Sequence, residues 1–225
     1  MPTYYRPMNT ADDWAQMLAD PVKHWRRGFS ARALAYCWHE AKGFPPEVDK
    51  VLQAFEPLRG IELLLGLPEH QVPLPGGARP SQSDIWCLAR HGESLVSMTI
   101  EGKVEETLGP TLGEWLADGS PGKDARLRFL MEQLSITEMP GTSIRYQLLH
   151  RTASAVIEAR RFRATRAVML VHSFSPTHQW FDDYAAFARV LGIEAERDRV
   201  YSAGTRGGVG LSIGWVAGDP RYLDS

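Results

Sequence analysis

Ser94 to Lys103 reads SLVSMTIEGK, an apolar run that ends in an acid, a glycine and a lysine. A strand alternates its faces with period two, so Glu101 and Lys103 share a face, and Gly102 leaves the backbone uncovered between them. A carboxylate and an ammonium at the end of an otherwise apolar strand cost desolvation unless something occupies the site with them. A divalent cation and a phosphate suit both groups. Upstream, Asp84 opens a second apolar run, Asp84-Ile85-Trp86-Cys87-Leu88-Ala89, and Arg90 to Glu93 is a short polar joint between the two. Antiparallel neighbours built this way bring Asp84 and Glu101 side by side.

Outward from this pair, the chain divides by its periodicity. Residues 1–58 read as helical: Asn9 or Thr10 caps a segment through Leu18, and Ser30 caps Ala31 to Lys42, which Gly43 stops. Pro45-Pro46 then opens a helix through Phe55. From Gly60 the pattern changes. Ile61 to Leu65 reads as a buried strand, and Pro68 to Pro80, rich in proline and glycine, as a loop or an irregular edge. After the two strands, Thr111 caps a short helix holding Trp115, a helix covers Asp124 to Leu134, and a long one covers Ser143 to Arg161. Ala167 to Val171 is an apolar strand, Thr177 caps a helix through Leu191, and Val209 to Val216 is the last strand. The order predicts an α/β (α+β) chain, a mixed central sheet flanked by helices. We read 1–225 as a single domain, with residues 60–217 as the mixed sheet and helices after an N-terminal helical elaboration.

Bulk composition narrows the function classes. Hydrophobic residues make up 44% and charged residues 23% of 225, an ordinary globular balance. No stretch has the length of uncharged apolar sequence that crosses a bilayer, and the N-terminus lacks a signal-peptide core. The expectation is a cytoplasmic protein with no membrane partner, its two cysteines, Cys37 and Cys87, buried as thiols. A net charge of −2 argues against a surface that grips nucleic acid all over. A local basic patch remains: Arg145, Arg151, Arg160, Arg161, Arg163 and Arg166, with Glu158 as the one acid among them.

The chemistry that fits Asp84, Glu101 and Lys103 is phosphodiester hydrolysis. It needs a cation to neutralise developing charge, an activated water and a stabilised leaving oxygen. Mg²⁺ takes oxygen ligands and binds through one or two carboxylates plus substrate. Ser83-Asp84 followed by Ile100-Glu101-Gly102-Lys103 resembles the PD-(D/E)XK nuclease superfamily, and the span from Ser30 to Val171 resembles its restriction-endonuclease-like core. No proline precedes Asp84, a departure from the family pattern; the nearest is Pro80. The resemblance implies Mg²⁺ or Mn²⁺ held by Asp84, Glu101 and the Gly102 carbonyl, with Lys103 catalytic. It further implies substrate contacts from Gln147, Arg151 and Arg145, and an added acid from the preceding helix, for which Glu40 is the candidate. The implied partner is nucleic acid, DNA binding included, with a homodimer allowed.

Two other readings compete. Arg90-His91-Gly92-Glu93 looks like the phosphate pocket of the histidine phosphatases, with His172 at the end of a later strand as the second histidine. Against that likeness, a strand and helices precede the motif, Ser94 to Ile100 continues as strand, and no glycine follows His172. A non-catalytic member would keep the fold and bind nucleic acid or protein on the same face. Gly119 to Lys123 fails as a P-loop, because Ala117 and Asp124 stand where glycine and Ser or Thr are required. Cys37 and His39 face different directions on a helix, which favours core packing over metal ligation. Trp180 beside Phe181 is a surface on which a base would stack if exposed.

Overall fold

The structure, a computed structural model, describes residues 7–225. Its helices are α1 (Pro21–His24), α2 (Ser30–Ala41), α3 (Pro46–Ala54), α4 (Leu112–Leu116), α5 (Pro121–Gln133), α6 (Tyr146–Arg161) and α7 (Phe181–Val190). Its strands are β1 (Glu62–Val72), β2 (Ser81–His91), β3 (Ser94–Lys103), β4 (Arg166–Ser173), β5 (Arg199–Arg206) and β6 (Val209–Ala217). Short 3₁₀ helices cover Ala11–Met17, Glu56–Leu58 and Pro220–Asp224.

All six strands form one mixed sheet in the order β1-β2-β3-β4-β6-β5. The first three run antiparallel, because the β2–β3 joint is a two-residue hairpin turn with Gly92 at φ 57°. β3 pairs parallel with β4, and β4 with β6, so long crossovers connect them; α6 is the last element of the first crossover. Helices cover both faces, as a sheet with a parallel centre requires. On one face Leu34, Cys37 and Trp38 of α2 and Val48, Val51 and Leu52 of α3 pack on Met98, Ile100, Val168 and Leu170. On the other, α5, α6 and α7 pack on Ala167, Met169 and Val171.

Local signals explain several boundaries. Thr111 and Glu114 form the reciprocal capping box that starts α4. α2 begins at Ser30 itself; the Ser30 N–H and hydroxyl both donate to Glu106, at 2.9 and 3.0 Å. Lys42, at φ 52°, rather than Gly43, takes the left-handed position that ends the helix.

Three expectations need correction. The strand expected over Ile61 to Leu65 runs on through Pro68 to Val72, and it is a half-exposed edge rather than a buried strand, with Leu64 at 47%. An edge tolerates proline because one side of its ladder has no partner to lose. β5 was not anticipated at all. α7 begins at Phe181, with Trp180 at φ 71° before it, rather than after Thr177. Among the described residues, no helix is long and apolar enough to cross a membrane.

Candidate active site

The β2–β3 register ends at Ile85 opposite Ile100. One step further sets Asp84 level with Glu101. On the other side of β2, Pro68 faces Ile85 and His70 faces Ser83, which sets Glu69 level with Asp84. Three acids therefore stand in one row across three adjacent strands, about 4.8 Å apart along the hydrogen-bonding direction. Two of them were expected. Glu69 was not, because it sits beside Pro68 in a stretch that reads as a loop or an irregular edge.

The pleat changes phase at this row. In β2, Ile85, Cys87 and Ala89 pack toward α2 and α3, yet Ser81, of the same parity, bonds His150 on α6. In β1, Gly66 lies against Ile85 and Cys87, whereas His70, of the same parity, bonds Glu158 on α6. Glu69 sits at the switch with φ 54°, a left-handed conformation that a non-glycine residue adopts only when its surroundings impose it.

Glu101 is 2% exposed and points to the α6 face. Its Oε1 accepts from Lys103 Nζ at 2.7 Å and from Gln147 Nε2 at 2.6 Å, and its Oε2 accepts from Arg151 Nε at 2.5 Å. Burial pushes this carboxyl up, but Arg151 and then Lys103 outweigh it and hold it below the usual carboxylate range. Asp84 behaves oppositely. Burial first, and the Glu101 charge second, push its carboxyl well above the usual range. Its Oδ2 accepts the Gly102 N–H at 2.7 Å. In a strand, one residue's N–H and C=O point to the same neighbour, so the Gly102 carbonyl opens toward Asp84 too. Burial raises Glu69 to about 7, with a smaller push from Glu101, although Gln82 donates to its carboxylate.

Two carboxyls and a carbonyl, with a third carboxyl alongside, are donor types that a hard divalent cation takes; Glu101 turns to α6, whereas Asp84 Oδ2 lies on the α2 side with Leu34. Gln147 adds a second mark of a site: its buried Oε1 has no hydrogen-bond partner. The three carboxyls do not themselves converge to the 4.8 Å span that another set reaches. That set is Cys37, Glu47 and His172, on the opposite face from α6. The Trp38 indole N–H donates to His172 Nδ1 at 3.1 Å, and an indole nitrogen can only donate. His172 Nε2 therefore carries the proton and donates to Glu47 Oε1 at 3.1 Å. Burial pushes the Cys37 thiol far up, while His172 holds Glu47 down at about 2 against the effect of burial. This is a closed hydrogen-bond chain with no imidazole lone pair left for a metal.

Other expected residues lie elsewhere. Glu40 is exposed and pairs with Arg221 at 3.5 Å, away from the acid row, whose third acid is Glu69 of β1. Arg151, 8% exposed, turns inward and bonds Glu101 through Nε and Ser81 through Nη1. Arg145 bonds Asp183 and the Gly109 carbonyl. Arg160 and Arg161 end α6, about 20 Å from Gln147 at 1.5 Å per residue, so the basic patch is split. Trp180 is half-buried, donates to the Glu105 carbonyl and lies under Arg145. His91 pairs across from Ser94, and His172 across from Gly102. Eight strand residues, about 26 Å, separate the two histidines along the sheet, and Arg90 pairs with Glu62 in solvent.

Comparison with known families gives one match. The family described as Domain of unknown function (DUF6946) covers residues 7–220. The chain belongs to this family. No curated protein and no solved structure matches it. The matched span takes in every element from the first 3₁₀ helix to β6, and with them the whole acid row.

Proposed function

We propose that the chain is a divalent-cation-dependent phosphodiester hydrolase of PD-(D/E)XK type acting on nucleic acid. The observation that carries this reading is the row Glu69–Asp84–Glu101, with Lys103 on Glu101 and the Gly102 backbone turned to Asp84. Asp84, Glu101 and the Gly102 carbonyl would hold Mg²⁺ or Mn²⁺. When bound, such an ion neutralises phosphate charge and acidifies water.

The protein's own groups divide the remaining work. Burial and then the Glu101 charge favour the protonated form of Asp84, which limits the like charge that an unloaded site gathers. Lys103 Nζ, already 2.7 Å from Glu101, is placed to steady charge on a phosphate oxygen or to orient a water. The free Gln147 Oε1 accepts from that water. Arg151 fixes Glu101 from the far side and acts as a positioning residue.

One feature favours a non-catalytic relative: both Glu101 oxygens are already bonded within the fold. Cleavage assays on single-stranded DNA, duplex DNA and RNA separate the two. The hydrolase reading expects cleavage with Mg²⁺ or Mn²⁺ that falls at least about 100-fold in Asp84→Ala and in Lys103→Ala. Equal rates in all three proteins, or no cleavage of any substrate by the wild type, defeat it.

A further inference from the structure

A cavity of about 750 Å³ lies on the α2 face, between the Ala11–Met17 3₁₀ helix and β1. Its walls include Trp14, Met17, Trp38, Leu67, Ile85 and Glu69. The size is that of a small-molecule pocket, and the lining is mostly apolar and aromatic with a few groups able to hydrogen-bond. A second, smaller cavity shares Trp14, Pro68 and Glu69 with it and reaches Asp84. The acid row therefore borders the large pocket through one residue, Glu69, which belongs to both.

We propose that this pocket receives an unpaired nucleobase of a single-stranded substrate whose phosphodiester lies at the acid row. The inference rests on the hydrolase reading for its substrate class. Three observations favour a base over other apolar ligands. The half-buried Trp14 offers an indole stacking surface, with the buried Trp38 in the wall, and every base has a π-face. Glu69 and Gln71 are polar lining groups that each already bond Gln82, and a base edge can donate to their remaining oxygen, which an alkyl chain cannot. Lys42 is the one Lys or Arg among the lining residues, so the phosphate stays outside, at the acids. A base within a duplex cannot enter without leaving its stack, so unpaired strands are preferred.

The test measures binding in EDTA, where cleavage plays no part. The full chain is titrated with a short single-stranded oligonucleotide, the same oligonucleotide carrying one abasic position, and the matching duplex. The abasic change, and separately Trp14→Ala, each weaken binding about 5- to 150-fold, and the abasic change has no further effect in Trp14→Ala. Met17→Trp, which narrows the cavity from a partly exposed position, reproduces the loss without removing a core residue. Equal affinity for intact and abasic strands overturns the proposal. So does a fatty acid that fills the pocket and is not displaced by the oligonucleotide. Base-dependent binding without any metal-dependent cleavage would sink the hydrolase reading alone; cleavage indifferent to Trp14 and to the abasic site would sink this inference alone.

Discussion

Glu101 answers two buried cations, Lys103 and Arg151, which are 5% and 8% exposed. Removing one partner of such a group leaves charge stranded in the interior, at about 3–5 kcal/mol. Glu101→Gln keeps the shape and loses the charge, so urea unfolding should register a loss of that size. A loss under about 1 kcal/mol would mean that water already reaches the cluster. Asp84 and Glu69 act in the opposite sense. A carboxyl raised by folding holds a proton that the unfolded chain has released. Its stabilisation is therefore complete below the unfolded pKa and is lost as pH rises through the folded one. For Glu69 that window runs from 4.5 to about 7. Metal-free stability should fall across it, by up to about 1.4 kcal/mol per pH unit for each such group. Mg²⁺ needs the ionised forms, so its increase in Tm should be larger near about pH 8 than near about pH 5.5. An increment independent of pH contradicts the assignment of these acids to the cation.

At the scale of elements, β3 and α2 meet at Gly102. A Cβ there would lie 3.1 Å from Leu34 Cδ2 and 3.4 Å from Asp84 Oδ2. Gly102→Ala should cost about 1–3 kcal/mol by overpacking, and Leu34→Ala in the same chain should recover part of it, a non-additivity that denaturant unfolding resolves. Strict additivity would place the strain elsewhere. The strands that carry Asp84, Glu101 and Val168 were legible because buried runs of Ile, Val, Met and Trp have no other reading at that length. Glu69 was not legible. Pro68 beside it reads as a breaker, and only the edge position of β1 makes a proline acceptable there. β5 escaped for a similar reason: Gly204, at φ 75°, falls where its register with β6 slips between Ser202 and Thr205, so the alternation is broken. The partners of Glu101 were partly legible. Gln147 and Arg151 are one helical turn apart and share a face, but the sequence does not say that Arg151 turns inward to the acid rather than outward to a phosphate.

At the scale of the whole molecule, the topology keeps the two histidines of the phosphatase-like motif apart. The parallel register of β3 and β4 carries His172 to the Glu101 end of the sheet, while the hairpin keeps His91 at the other. Eight strand residues, about 26 Å, lie between them. The same register brings Glu69, Asp84, Glu101, Lys103 and Gln147 to one end of the sheet; of these Glu69 alone lines the large cavity, and Asp84 lines the small one beside it. The Cys37–Glu47–His172 chain, on the α2 and α3 side, also gathers ligand-type atoms, but its hydrogen bonds leave no imidazole lone pair for an ion. Crystals soaked in Mn²⁺ and measured at its absorption edge compare the two sites directly. The account predicts an anomalous peak bonded to Asp84, Glu101 and the Gly102 carbonyl, at about 2.1–2.2 Å, absent in Asp84→Ala. A peak at His172 instead, or none at the acid row under saturating Mn²⁺, would contradict it.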